Sequence, residues 1–222
     1  MTPLTWKSAG LLMLLATKAY SLESNTNEGE VIIDGYRIVD LQTEVAWKIG
    51  EDPIILNGTV QDVHAQLLEL NPSYDAEAEE LAKAFLAKRE EEEEQPQEKR
   101  DHSFCGRWPH ADQILARQNV RTLRGQSGRP SLGAGPGVCA RVACTNDGGA
   151  VVWWCNDNTH PVTLGSFSDI ANAATVIDQD CSSWYLGAWI LRGQRFHDDN
   201  VNVIVRSESG VVLPESCRGI FG

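Results

Sequence analysis

All six cysteines lie in the later part of this 222-residue chain, and this placement is the strongest constraint on its fold. They are Cys105, Cys139, Cys144, Cys155, Cys181 and Cys217. An even number of cysteines without a CxxC pair favours a disulfide framework over a zinc or redox site, so we expect no metal and no cofactor. Each disulfide would stabilise the fold by about 2–4 kcal/mol. The connectivity stays open, although a predicted hairpin would place Cys139 opposite Cys155.

The N-terminus has the features of a secretory signal peptide over residues 1–20. Lys7 supplies a positive charge, residues 10–16 form a short apolar run, and Thr17 and Ala19 supply the small residues of a cleavage site. The apolar run is shorter than the roughly 20 residues that a membrane-spanning helix requires. We therefore expect a secreted, extracellular protein with no membrane span.

A dibasic pair, Lys99–Arg100, separates two segments of different composition. Residues 21–100 are acidic and lack cysteine, whereas residues 101–222 hold all the cysteines and no lysine. The second segment is almost neutral, so the net charge of −12 comes mainly from the first segment. We interpret residues 21–100 as a propeptide that an endoprotease removes by cutting after the dibasic pair at Arg100, leaving residues 101–222 as the mature domain. A near-neutral product is not expected to bind nucleic acid, which requires a basic face.

Local signals in the acidic segment predict modest structure. Asp34-Gly35 is a hairpin turn between two apolar runs. Thr59 and Asp75 are candidate N-caps of two helices. Asn57 begins an N-glycosylation sequon, so we expect a glycoprotein. The glutamates at residues 90–94 would fray the end of the second helix and give a protease access to the dibasic pair.

The pattern of residues 101–222 predicts helix, two strands, helix and two strands. A helix is expected from residue 111 to 123, strands at 139–144 and 150–155, a second helix reaching Cys181, and strands at 189–196 and 201–206. We expect an α+β fold, with a small disulfide-stapled antiparallel sheet carrying two helices on one face, preceded by the cleaved propeptide.

Catalytic motifs are absent from the sequence. There is no GxSxG turn, and oxidised cysteines cannot act as nucleophiles. A metal-free ribonuclease would need a base, an acid and a cation, and the weak candidates are His160, His197, Glu208 and Arg206. Nothing in their spacing brings them together, so we expect a protein without catalysis. A small secreted hydrolase of this ribonuclease-like kind remains an alternative, and it would lose activity on replacement of His160 or His197.

Adjacent tryptophans suggest a second alternative, a cell-wall glycan-binding module. Trp153 and Trp154 lie on one predicted strand and would point to opposite faces, so that the outward ring is a candidate glycan contact. Trp184, Tyr185 and Trp189 would supply further aromatic surface. In a small disulfide protein, however, most aromatic side chains complete the core.

Several strings resemble a group of small secreted cysteine-rich fungal proteins, broadly similar to the killer toxins of smut fungi and to extracellular plant-pathogen effectors. They are Cys139-Ala-Arg-Val-Ala-Cys144, Val151-Val-Trp-Trp-Cys-Asn-Asp157, Ile170-Ala-Asn-Ala-Ala174, Val201-Asn-Val-Ile-Val205 and, before the dibasic pair, Leu56-Asn-Gly-Thr-Val-Gln-Asp-Val-His64. The resemblance implies an α+β sandwich, kexin-type processing and a toxin or effector role exercised by binding an extracellular or cell-surface target. It identifies no catalytic residue. The lack of lysine after Arg100 departs from killer toxins and argues against channel blocking by a lysine side chain.

Overall fold

The structure is a computed structural model that describes residues 32–33, 35–87, 101–145, 148–208 and 217. The predicted signal peptide and the Lys99–Arg100 pair lie outside these described residues. Among the described residues, no helix combines the length and the apolar character needed to cross a membrane.

The described residues form four helices and fourteen strands. In chain order they are β1 (Ile32–Ile33), β2 (Tyr36–Val39), β3 (Gln42–Val45), β4 (Ile54–Asn57), α1 (Val60–Leu70), α2 (Tyr74–Ala87), β5 (His102–Cys105), β6 (Ala111–Asp112), α3 (Gln113–Gly125), β7 (Arg129–Leu132), β8 (Val138–Cys144), β9 (Val151–Asn156), β10 (Val162–Thr163), α4 (Ser168–Cys181), β11 (Ser182–Tyr185), β12 (Ala188–Leu191), β13 (Gly193–Phe196) and β14 (Val201–Arg206).

The strands form three sheets rather than the one sheet that we expected. The largest has the order β1-β2-β8-β9-β14-β13-β5, and the two smaller sheets have the orders β10-β7-β3-β4 and β11-β12-β6. In the large sheet β2 pairs with β8 in parallel, and the other neighbouring strands pair antiparallel. Helix α3 contacts β8 and β9, α4 contacts β13 and β14, and α1 contacts β4 and β8. The mixed content of helices and antiparallel strands is confirmed, but one sheet with two helices is too simple a description.

The large sheet is buried on both faces at its centre. On one face, Val152 and Trp154 of β9 belong to a cluster with residues of α3 and α4. On the other face, Trp153 packs in a second cluster with Trp108 and Cys217. Trp153 and Trp154 therefore do point to opposite faces, but both are only 1 % exposed. The expectation that one of them reaches solvent and contacts a glycan is wrong, because a second layer covers the outer face.

The structure resolves the disulfide connectivity. Cys139 pairs with Cys155, Cys105 with Cys181, and Cys144 with Cys217. Cys139 lies directly opposite Cys155 in the β8–β9 ladder, which confirms the predicted cross-strand register. The two other bridges join residues more than seventy positions apart, a feature that local sequence patterns cannot predict.

Residues 35–87 of the acidic segment are folded onto the cysteine-rich segment, residues 101–222. Strand β2 pairs with β8, β3 pairs with β7, and Leu41 and Val60 are buried in the same cluster as Leu123. The predicted cap at Thr59 is confirmed: its side chain accepts a hydrogen bond from the Asp62 amide, and the Asp62 carboxylate accepts one from the Thr59 amide. Asn57, the predicted glycosylation site, is exposed.

Helix α2 starts two residues earlier than the expected cap at Asp75 implies. It begins at Tyr74, so Asp75 lies in its first turn, where its negative charge still favours the helix, rather than at the cap.

Asp178 joins α4 to α3 and gives the fold an acid-sensitive contact. Its carboxylate accepts hydrogen bonds from Arg117, Gln113 and Ser182, at 2.6 to 2.7 Å. Burial alone would raise the pKa of Asp178, but these hydrogen bonds and the charge of Arg117 outweigh burial and hold the pKa below 3.8. A carboxyl group with a lowered pKa in the folded state stabilises the protein above its unfolded pKa and loses that contribution as pH falls.

We therefore expect Asp178→Asn to lower the free energy of unfolding at neutral pH by about 1–3 kcal/mol, because it removes a charged acceptor from three donors. The stability of this variant should also fall less steeply than that of the unaltered protein below about pH 4, because one group that takes up a proton on unfolding is gone. Urea unfolding at a series of pH values between 7 and 2 measures both effects. Parallel stability curves would contradict this account.

Candidate functional site

The β11–β12 hairpin extends a group of large apolar side chains into solvent. Leu186 and Gly187 form its turn with positive φ angles of 46° and 89°. This is the geometry of a tight hairpin turn, in which the first position is usually Asn, Asp or Gly rather than leucine. A leucine held there is strained, and it is also 88 % exposed. The turn thus holds an apolar side chain at its tip at a conformational cost.

Three aromatic side chains flank this tip. Trp184 lies opposite Trp189 in the ladder, and their rings meet edge to face with centroids 5.7 Å apart. Tyr185 contacts His110 edge to face at 5.3 Å. Trp184 is 61 % exposed, and Tyr185 and Trp189 are each 51 % exposed. We call Trp184, Tyr185, Leu186 and Trp189 the aromatic hairpin surface.

The base of the hairpin is held by the rest of the fold. Strand β12 pairs with β6, with Leu191 opposite Ala111. The residue before β11 is Cys181, which forms a disulfide with Cys105 of β5. A hairpin fixed at both strands presents its tip in a defined orientation, which lowers the conformational entropy lost on binding.

The aromatic hairpin surface carries no charge of its own. The His110 ring contacts Tyr185, and its pKa is lowered from 6.5 by burial and by the positive charge of Arg192. His110 is therefore mostly neutral at pH 7. The surface is thus suited to apolar and aromatic contacts rather than to ionic ones.

A second feature is a cleft of about 480 Å³ that both segments of the chain line. Its walls include Tyr36 from β2 and, from the cysteine-rich segment, Arg107, Trp108, Asp157, Gln194 and Phe196. Burial and the nearby negative charge of Asp157 raise the pKa of Tyr36 above 10.

The polar groups of this cleft already bond to one another. Asp157 accepts hydrogen bonds from Asn202 and from the Gly137 amide, at 2.8 and 3.2 Å. Gln194 donates to Asn202 and to the Tyr36 hydroxyl, at 2.9 and 3.3 Å. This network satisfies the hydrogen-bonding groups of polar side chains that lie on the buried strands β13 and β14. Because these groups already bond to one another, the cleft is a weaker candidate for a binding site than the exposed hairpin.

The residues considered for catalysis lie in separate places. Arg206 and Glu208 are in contact, at 3.0 Å, at one end of β14. His160 is exposed, and its carbonyl accepts a hydrogen bond from Asn156 at the opposite end of β9. Since β9 pairs with β14 along its length and rises about 3.3 Å per residue, roughly 16 Å of strand separates His160 from Glu208. The arrangement of His160, Glu208 and Arg206 that a ribonuclease would need is not assembled.

His197 has a structural partner instead. Its Nδ1 donates to the Asp101 carboxylate at 2.9 Å, and Arg195 lies 3.4 Å from the same oxygen. Among the described residues, no group of three or more metal-ligating side chains is present.

The sequence indicated three of the four residues of the hairpin surface but not the hairpin itself. Residues 189–196 were expected to form one strand, whereas the chain breaks at Arg192 and divides them between two sheets. Two glycines were the sequence signals for this break in the strand. Gly187 occupies the hairpin turn, and at Gly193 an added Cβ would lie 2.8 Å from the Cys181 sulfur.

No protein-family model matches the chain, and no curated protein or solved structure matches it either.

Proposed function

We propose that this chain is a secreted, disulfide-stabilised protein, processed by a kexin-type protease after Arg100, that acts without catalysis by binding an extracellular or cell-surface target. The aromatic hairpin surface is the contact with that target, and the role is toxin- or effector-like. Three disulfides support an oxidising location outside the cytosol. The separation of His160 from Glu208 supports binding over catalysis.

The observation that carries this proposal is the exposure of two tryptophans, a tyrosine and a leucine on one hairpin. A soluble protein gains stability by burying such side chains, so an exposed cluster of them marks an interaction site. Tryptophan and tyrosine are also the residues that most often dominate the binding energy of protein interfaces. The strained turn at Leu186 agrees with a functional constraint, because strain of this kind concentrates at binding sites.

Replacing Trp184 or Trp189 with alanine tests the proposal. Each variant should bind its target about 30-fold more weakly, as expected for a central aromatic contact worth about 2 kcal/mol. Stability should change little, because both side chains are largely exposed. Binding of labelled protein to intact fungal and plant cells gives the readout. Ile114→Ala is the matched control, since Ile114 is a 71 % exposed apolar residue on α3, outside the hairpin surface. Variants that bind as well as the control would contradict the proposal.

A glycan is the second candidate target, favoured by the exposed indole rings of Trp184 and Trp189. The flat apolar face of an indole can pack on the C–H face of a sugar ring, and an uncharged site suits a neutral polysaccharide. Pull-down on insoluble chitin and on cell-wall glucan distinguishes the two candidates. Retention on a polysaccharide that is lost in Trp184→Ala and kept in Ile114→Ala would favour the glycan, whereas binding to cells alone would favour a protein target.

A further inference from the structure

We propose that the acidic segment is kept after processing, so that the finished protein has two chains. Hydrolysis of the peptide bond after Arg100, with water supplying a hydroxyl to the Arg100 carbonyl and a hydrogen to the Asp101 nitrogen, would then leave residues 35–87 bound to the cysteine-rich chain as a structural subunit. This inference rests on the processing proposed above. The binding is non-covalent, because all three disulfides join cysteines after residue 100.

Backbone pairing is the first observation that supports retention. Residues Arg37–Val39 pair with residues Val138–Ala140 of β8, and Gln42–Glu44 pair with Arg129–Ser131 of β7. Six of the seven residues of β8 are buried, a pattern typical of an interior strand rather than an edge strand. Loss of the acidic segment would turn β8 into an exposed apolar edge, which promotes aggregation.

Side-chain packing is the second observation. Leu41 and Val60 are each 1 % exposed and lie in one cluster with Leu132 and Phe167 of the cysteine-rich segment. The backbones also approach closely at Gly128, where an added Cβ would lie 2.7 Å from the Glu44 carbonyl oxygen. The acidic segment therefore fills part of the main core rather than resting on its surface.

Polar contacts fix the position of the segment. The Gln61 side chain donates to the Cys144 carbonyl at 3.0 Å, and Arg129 lies 3.3 Å from the Glu44 carboxylate. On the other side of the proposed cut, Asp101 is already held by Arg195 and His197. The new chain start at Asp101 thus has its own partners within the cysteine-rich segment, and cutting need not disturb either part.

Retention has a consequence for the cleft of about 480 Å³. Tyr36 comes from the acidic segment, whereas Asp157 and Gln194 come from the cysteine-rich segment. The cleft is therefore complete only when both chains are present. Assays on residues 101–222 alone would examine a protein with an altered surface.

Intact mass measurement of the secreted protein tests retention. The full precursor is secreted and purified, and its mass is measured first in denaturing, non-reducing conditions and then in native conditions. We expect two chains when denatured and one complex of both when native. Recovery of the chain from Asp101 alone would overturn retention while supporting processing.

An uncut chain would contradict processing but would still leave retention testable. In that case residues 95–98 are replaced by the recognition sequence of a site-specific protease, the purified protein is cut in vitro, and the native measurement is repeated. Two chains that stay together support retention, and two chains that separate overturn it.

Variants at the interface give the matched comparison on the cut protein. Leu41→Asp should weaken the complex at least tenfold, whereas Ile55→Asp, at a 64 % exposed position of the same segment, should leave it intact. Gln61→Ala removes one hydrogen bond without altering the core and should speed dissociation about two- to tenfold, which covers the case in which Leu41→Asp does not fold. Equal dissociation of all three variants would contradict the proposed interface.

Discussion

Replacing Glu208 with alanine is expected to lower the free energy of unfolding by about 3–5 kcal/mol, because it removes a buried carboxylate that pairs with both Arg141 and Arg206. The Glu208 side chain is 1 % exposed, and its two oxygens lie 2.8 Å from Arg141 and 3.0 Å from Arg206. Both arginines also stack on aromatic rings, Arg141 on Trp153 at 4.7 Å and Arg206 on Trp108 at 5.4 Å. They cannot turn to solvent without giving up these contacts.

Urea unfolding with the disulfides intact measures this effect. Glu44→Ala is the control, because Glu44 pairs with Arg129 at 3.3 Å but is 40 % exposed. A solvent-screened pair of this kind contributes about 1 kcal/mol or less. If Glu208→Ala were no more destabilising than Glu44→Ala, Arg141 and Arg206 would have to be solvated in the folded protein. Their pairing with Glu208 would then contribute no more to the free energy of unfolding than an exposed ion pair does.

The role of Glu208 also shows where reasoning from the sequence succeeds and where it fails. Interactions between residues close in sequence were predictable: the Thr59 cap and the register that sets Cys139 against Cys155 both follow from local patterns. The buried cluster of Glu208 with Arg141 depends on a contact 67 residues apart, and nothing in its local pattern distinguished it from a surface charge.

The burial of Trp153 and Trp154 was predictable in principle. Strand β9 reads Val151-Val-Trp-Trp-Cys-Asn156, a continuous apolar run without alternation. Such a run is typical of a strand covered on both faces, whereas an exposed face would show polar residues at every second position. The identity of the covering layer was not predictable, because Trp108 and Cys217 reach it from opposite ends of the cysteine-rich segment.

The exposure of the aromatic hairpin surface, by contrast, was not predictable from the sequence. The sequence predicted a single strand at residues 189–196, and it could not show that β12 belongs to a small sheet that holds only β11, β12 and β6 among the described residues. Helices α3 and α4 contact strands of this sheet, yet Trp184, Tyr185 and Trp189 stay at least half exposed. Their exposure depends on this topology, which sequence periodicity does not encode.

Production of residues 101–222 without the acidic segment is expected to give a destabilised, aggregation-prone protein. The fragment loses the burial of Leu41 and Val60 against the main core, at about 1.5–3 kcal/mol for each side chain, together with the strand pairing of β2 and β3. A loss of about 3–6 kcal/mol is a large part of the 5–15 kcal/mol that a typical domain has in total. Three disulfides remain in the fragment, and by limiting the unfolded chain they should keep it compact rather than fully unfolded.

Urea unfolding and binding of a hydrophobic dye compare this fragment with a chain that begins at Val31, both secreted from the same heterologous leader sequence. The chain from Val31 retains the whole of the compact unit and should unfold as the complete protein does. The fragment should unfold at lower urea and bind more dye, because the face of the core that Leu41 and Val60 cover is open. Equal unfolding midpoints would mean that the cysteine-rich segment closes its own core. The acidic segment would then be a removable propeptide, as its composition alone suggests. A lower midpoint would make it a structural part of the protein.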